Sequence, residues 1–180
     1  DVAATVLSAT VLSQPVQTLD SLRAARHGGL DSEGVDLKES VELPLMEVRA
    51  LLDLGDVAKA NRKLEDLAER VGWRWRLIWF KAVSELLVGD YDSATKHFTE
   101  VLDTFPGELA PKLALAATAE LAGTSDERPF YKTVWHTDNN VISAGFGLAR
   151  AQSVEGDREG AVNTLDEVPA SSRHFTTARL

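Results

Sequence analysis

From residue 42 onward, apolar side chains recur three and four positions apart in blocks closed by glycine or a polar turn, the spacing of one buried face of an α-helix. That pattern predicts helices over 43–54, 57–71, 74–88, 91–104, 109–122, 129–136, 141–155 and 158–168, and so an all-α fold. Two shorter helices are expected before them, over 2–13 and 15–27, the second with Pro15 in its first turn and Gly28-Gly29 after its end. The stretch GGLDSEGVDLKES, residues 28–40, reads as a polar loop.

The closing turns fall in register. Gly55-Asp56 is followed by Ala60, Leu64 and Leu67; Gly89-Asp90, Ala94, Phe98 and Val101 stand 34 residues further on. Gly123 comes another 34 residues later, and Gly156-Asp157, with Ala161, Leu165 and Val168, 33 after that. A period of 34 with small residues at fixed offsets is the signature of the tetratricopeptide helix-turn-helix repeat. Its physics assigns each residue a place. The glycine takes the left-handed turn that ends helix A, and the aspartate caps helix B. Ala60, Ala94 and Ala161 fall where helix B crosses helix A, and a larger side chain would push the pair apart. Leu64, Phe98 and Leu165 fill the space toward the next repeat. Pro106 closes the second repeat, because its ring cannot continue the helix.

The expected architecture is a right-handed superhelical array of tetratricopeptide repeats preceded by a short helical linker. The boundaries are a lead-in at 1–40, repeats at 41–72 and 73–107, a degenerate repeat at 108–140, a fourth at 141–170, and the start of a further helix at 171–180. The third unit is degenerate because Arg128 holds the alanine position, Pro129 follows, and the apolar set Phe130, Tyr131, Val134 and Trp135 is shifted. Its helix B is expected to start near Pro129, after the loop GTSDER. In the next turn, HTDNN, His136 and Asp138 read as hydrogen-bonding and capping residues rather than metal ligands.

Residues 71–80, VGWRWRLIWF, set three of the four tryptophans among arginines. Such a stretch can stack on a nucleic-acid strand, lie at a membrane surface, or form a buried helix face. Trp75, Ile78, Trp79, Ala82, Val83 and Leu86 form one continuous stripe, so the stretch reads as the core face of the second helix A. Trp73 then falls in the inter-repeat turn, and Arg74 and Arg76 point away from the stripe. Charge supports that choice: 19 Lys+Arg against 28 Asp+Glu give a net charge of −9, unsuited to a phosphate backbone. No nucleic-acid partner is expected.

The chain has no cysteine, which removes disulfides, thiolate metal sites and a cysteine nucleophile. No apolar run approaches the roughly 18 residues of a membrane span, and nothing resembles a signal peptide. A cytoplasmic location is expected, and a chain that begins at Asp1 and stops in SSRHFTTARL reads as a piece of a longer protein.

Stacked repeats expose a concave face lined by helix A side chains. With the turn glycine as position 15, position 5 holds Leu45, Trp79, Leu113 and Phe146, while positions 2 and 9 supply Glu42, Arg76, Arg49 and Arg150. The candidate partner-binding residues are therefore Arg49, Arg76, Trp79, Phe146 and Arg150: an apolar floor with three charged handles. The Lys/Asn set with which some adaptors clamp a terminal carboxylate is missing, so an amphipathic segment, or neighbouring chain, is expected in the groove. No nucleophile-base constellation is present, and the GFG of Gly145 to Gly147 lies inside a helix. No catalytic, cofactor or metal residue is expected.

The stretches TVLSQPVQTLDSLRAARHG, ESVELPLMEVRALLDLGDVAKA, GDYDSATKHFTEVLDTFPGELAPKLALAATAELAG and SRHFTTARL closely resemble the C-terminal tetratricopeptide region of the mycobacterial serine/threonine protein kinase G family. The resemblance extends over essentially the whole chain. It implies a cytoplasmic kinase with a rubredoxin-like metal-binding domain, a catalytic domain and this helical module. It further implies a forkhead-associated-domain substrate that regulates glutamate and 2-oxoglutarate metabolism, and a link to mycobacterial survival in macrophages (virulence). The chain itself has no Gly-rich phosphate loop, no HRD, no DFG and no paired CxxC. ATP and metal are thus expected only in the other domains of such a kinase. The partners expected for this module are proteins: the kinase domain in cis, a protein substrate, or a second copy as a homodimer.

Overall fold

A computed structural model describes residues 15–28, 41–124 and 127–180. Among them are nine α-helices: α1 (Pro15–Gly28), α2 (Glu42–Asp53), α3 (Val57–Val71), α4 (Trp75–Val88), α5 (Tyr91–Thr104), α6 (Leu109–Ala122), α7 (Glu127–Thr137), α8 (Ile142–Val154) and α9 (Arg158–Asp166). The eight helices expected between residues 43 and 168 all form, with bounds within two residues of the sequence pattern. The helix expected over 2–13 lies outside the described residues, as does the loop over 28–40 apart from Gly28, the last residue of α1. Residues 171–180 hold turns and a single 3-10 turn, Thr177–Arg179, where the pattern suggests a further helix.

One turn recurs at all four repeat glycines. Asp56 N–H donates to the Leu51 carbonyl at 2.9 Å and Gly55 N–H to the Leu52 carbonyl at 2.9 Å. The same pair of bonds joins Asp90 to Glu85 and Gly89 to Leu86, Thr124 to Ala119 and Gly123 to Glu120, and Asp157 to Gln152 and Gly156 to Ser153. This is the Schellman ending, which needs a left-handed residue at the glycine; Gly55, Gly89, Gly123 and Gly156 have φ of 76°, 82°, 72° and 86°. At Gly55, Gly89 and Gly156 the aspartate that follows stands directly before helix B, whereas after Gly123 helix α7 begins only at Glu127. The Asp56 carboxylate accepts from Lys59 N–H at 3.3 Å and the Asp157 carboxylate from Gly160 N–H at 2.9 Å. A two-residue Gly-Asp turn therefore ends one helix and caps the next.

The chain divides into two compact units, Asp1–Asp90 and Tyr91–Leu180, with the division inside the second repeat, between its helix A and helix B. In unit 1, α1 packs on α2, α2 on α3, and α4 on both α3 and α2. Its core is formed by Leu19, Leu45, Val48, Leu51, Leu52, Ala60, Leu64, Leu67 and Leu77. Burying each of the larger side chains contributes about 1.5–3 kcal/mol. Leu19 belongs to α1, so the last helix of the lead-in shares the core of the first repeat.

The stripe on α4 is not the core face expected. Leu77, Ala82, Ser84 and Glu85 are buried, Ile78, Trp79, Val83 and Leu86 are half-buried, and Trp75 is 43% exposed. The cause is the company α4 keeps: α2 and α3 cover one flank, and the flank carrying Trp75 borders an open groove.

In unit 2, α5 packs on α6, α6 on α7, α7 on α8 and α8 on α9, with α6 also touching α8. Helix α7 begins at Glu127, two residues before Pro129. The first turn of a helix has no intrahelical partners for its N–H groups, so Pro129 fits there without losing a bond. Arg128, in place of the packing alanine, instead pairs with Glu155 and lies 3.6 Å from Asp157 in the α8–α9 turn. The core role passes to Tyr131, Val134 and Trp135, all buried.

These large rings need room, and α8 supplies it. A Cβ on Gly145 would stand 2.8 Å from the Trp135 ring, and one on Gly147 only 2.5 Å from the Tyr131 ring. The GFG sequence is thus a pair of notches for two aromatic side chains. Both rings keep their polar ends bonded: Tyr131 Oη donates to Glu120 at 2.6 Å, and Trp135 Nε1 to Glu167 at 2.9 Å.

Of the repeat-defining residues, Ala60, Leu64, Ala94, Phe98 and Ala161 are buried, while Leu165 is half-buried beside buried Thr164. Thr164 Oγ1 donates to the Gln152 amide oxygen at 2.9 Å. Pro106 lies exposed in the turn after α5.

Candidate interaction groove

Unit 1 holds an open groove of about 250 Å³ between α2 and α4, lined by Glu42, Leu45, Met46, Arg49, Trp75, Arg76, Trp79 and Phe80. Arg49, Arg76 and Trp79 therefore line one groove. The repeat explains it: residues 34 apart sit at equivalent places on successive helices A, so Glu42 and Arg76 face each other and form an ion pair. The Arg76 guanidinium also lies 5.2 Å from the centre of the Trp75 ring, within cation–π range. Arg49 is held more loosely. Its ionic contact among the described residues is Asp53, one helical turn away at 3.9 Å, and its side chain is 44% exposed.

Met46, Trp75 and Phe80 complete the lining without standing at the repeat's usual groove positions. The available signal was helical spacing: Met46 lies three residues before Arg49, and Phe80 four after Arg76. Arg76, expected to point away from the aromatic stripe, shares the groove with Trp75 and Trp79, because only the first turns of the stripe line the groove.

Phe146 and Arg150 lie on α8 in unit 2. Phe146 is half-buried and meets the His174 ring edge-on at 6.4 Å between ring centres, so the chain's own last turns reach it. Arg150 forms a fork with Glu120, Nε to Oε1 at 2.6 Å and Nη2 to Oε2 at 2.9 Å. With the Tyr131 hydroxyl also on Glu120, this network joins α6, α7 and α8. Arg150 is a structural tie as it stands, not an open handle. Its partner lies 30 residues away at a different repeat position, which no local pattern signals.

The network sets a pH dependence. The Arg150 fork, opposed by burial and aided by Tyr131, holds the Glu120 carboxyl below its usual range. Burial, together with the bond to Glu120, pushes the Tyr131 hydroxyl up. A folded-state value below the unfolded one means the ionised network stabilises unit 2 above the ordinary glutamate value of about 4.3. That contribution disappears as pH falls through the lowered value. Urea midpoints measured between roughly pH 6 and pH 3 should therefore drop less steeply in Glu120→Gln than in the parent; equal slopes would remove Glu120 from the account.

A second groove, of about 550 Å³, lies in unit 2 among α5, α6 and α7, with Tyr91, Leu115, Ala119, Pro129 and Phe130 in its walls. Among the described residues, Asp92 is the one charged residue lining it. The Thr99 and Thr124 hydroxyls there are turned to backbone carbonyls of their own segments. In the turn after α7, the Asp138 carboxylate accepts from Asn140 N–H and Nδ2, both at 2.9 Å, which is a capping turn. Among the described residues no helix is long and apolar enough to cross a membrane.

Comparison with known proteins gives this geometry its setting. Serine/threonine-protein kinase PknG of Mycolicibacterium smegmatis is 83% identical over 180 residues, which are 100% of this chain and 24% of that protein. The PknG of Mycobacterium leprae is 80% identical over the same 180 residues, again 24% of its length. The chain thus spans about a quarter of the curated relatives it matches. Among solved structures, MamA AMB-1 superposes with a TM-score of 0.60 at 17% identity, covering 91% of this chain and 94% of that one. MamA MSR-1 gives 0.58 at 17% identity, covering 99% and 96%. At such low identity these two show a common helical fold and nothing more. The family described as protein kinase G tetratricopeptide repeat matches residues 1–180. With that match across the whole chain, four glycine turns in register and relatives at 80% and 83% identity, the chain belongs to the protein kinase G tetratricopeptide repeat family.

Proposed function

We propose that this chain is the non-catalytic interaction module of a cytoplasmic serine/threonine protein kinase, docking a protein substrate beside the catalytic domain or pairing with a second copy. The observation that carries this reading is the open groove in unit 1, which Arg49, Arg76 and Trp79 line together. A helix face carrying two tryptophans and a phenylalanine is normally covered. Here it stays partly exposed with cations at its rim, the make-up of a surface that recruits a partner. The substrate implied by the resemblance to the kinase G family is a forkhead-associated regulator of glutamate and 2-oxoglutarate metabolism.

A second reading, an intramolecular brace for the kinase domain, draws on α1. This helix precedes the first repeat yet buries Leu19 in that repeat's core, so whatever chain leads into it is coupled mechanically to the module. Kinetics separate the two readings. Full-length kinase should be compared with a form lacking this region, on the protein substrate and on a short peptide containing only the phosphorylated site. Docking predicts a raised KM for the protein substrate with peptide kinetics unchanged. A parallel loss of kcat on the peptide contradicts docking and supports the brace.

A further inference from the structure

The unit 1 groove also says what kind of segment it suits. Its volume of about 250 Å³ falls below the roughly 300–1,000 Å³ typical of small-molecule sites, and it opens to solvent along one side. Space of that size accommodates one large side chain. The walls are Leu45, the thioether of Met46, and three aromatic rings, Trp75, Trp79 and Phe80. Sulfur-aromatic and edge-to-face contacts favour a flat ring over an aliphatic branch.

The rim determines the charge of what lies beside that ring. Arg76 is occupied twice, by the Glu42 carboxylate and by the face of Trp75. Arg49 is not: its contact to Asp53 at 3.9 Å is too long for a hydrogen bond, and both side chains stand nearly half exposed. A guanidinium in that state keeps its fork of donors available for an arriving carboxylate, which it can hold through two parallel bonds.

We propose that this groove is an anchor pocket for a single aromatic side chain from an acidic segment of a partner protein, and that Arg49 receives a carboxylate next to that anchor. This rests on the interaction-module reading and narrows it to one pocket and one chemistry. Arg76 acts as the fixed wall, held in place by Glu42, and Arg49 as the cation that changes partners from Asp53 to the incoming acid.

The test uses the intact chain and defined peptide probes: an acidic peptide with one central phenylalanine, the same peptide with alanine or leucine at that place, and one with lysines replacing its acids. Binding is read from the indole N–H signals of Trp75 and Trp79 in an NMR titration. The phenylalanine peptide should shift both signals saturably, while the alanine and lysine peptides bind at least about tenfold more weakly. Arg49→Gln should weaken the phenylalanine peptide by about fivefold with an unchanged melting temperature, since the side chain is exposed. Equal binding of the leucine peptide overturns the aromatic anchor. Equal binding of the lysine peptide, or no effect of Arg49→Gln, overturns the role of Arg49. If no probe shifts either indole while deleting the region still raises KM for the protein substrate, docking stands and this pocket is not its means.

Discussion

Trp135→Ala should destabilise unit 2 by about 3–5 kcal/mol, the range for removing a large buried ring. Trp135 is 1% exposed, and its indole N–H is bonded to Glu167. The ring fills the notch that Gly145 leaves in α8, so the hole left behind is walled by a backbone that cannot extend a side chain into it. Glu167 would lose its donor as well. Trp75→Ala is the natural comparison: at 43% exposure on the groove flank, Trp75 should cost about 1 kcal/mol or less. Denaturant unfolding of both variants checks the contrast. Similar losses would mean that the exposed flank of α4 is wrongly placed.

Gly147→Ala should destabilise by about 1–3 kcal/mol through overpacking. Helix propensity alone would have it stabilise by about 0.8–1 kcal/mol, so the sign itself is diagnostic. The added methyl would meet the Tyr131 ring at 2.5 Å, and Tyr131 has little freedom to retreat, being buried with its hydroxyl held by Glu120. In a Tyr131→Leu background the same alanine should lose most of its cost, because the two sites share one space. A raised melting temperature for Gly147→Ala in the parent protein would contradict the matched pairing of rings and notches.

These two sites also mark what sequence patterns cannot carry. The helices and their turns were legible because the Schellman ending is local: a glycine, an aspartate and carbonyls within five residues determine where helix A ends and helix B begins. Arg49, Arg76 and Trp79 could be placed on one flank because the 34-residue period assigns equivalent positions to successive helices A. The notches at Gly145 and Gly147 were not legible in that way. Their partners lie on another helix, in a repeat whose register has shifted, and the pattern places the glycines inside a helix without giving them a role. Arg150 stood at the right repeat position, yet its charge is taken up by Glu120, a pairing between different positions of neighbouring repeats. Burial along α4 failed for a related reason. The apolar stripe was real, but which part of it is covered depends on where α2 and α3 pack, and a hydrophobic pattern does not distinguish a core face from the floor of a groove.

The most direct measurement of the central claim is a titration of the protein substrate against full-length kinase carrying Arg49→Glu together with Arg76→Glu, at low salt, beside the parent. Both side chains are nearly half exposed, so helix content should be unchanged. Removing the Arg49 cation and turning the field at the groove's rim against an acidic segment should together weaken binding by about tenfold. The difference should shrink as salt is added. Binding as tight as the parent's at low salt would contradict an interaction role for this groove and leave the brace as the better account of the module.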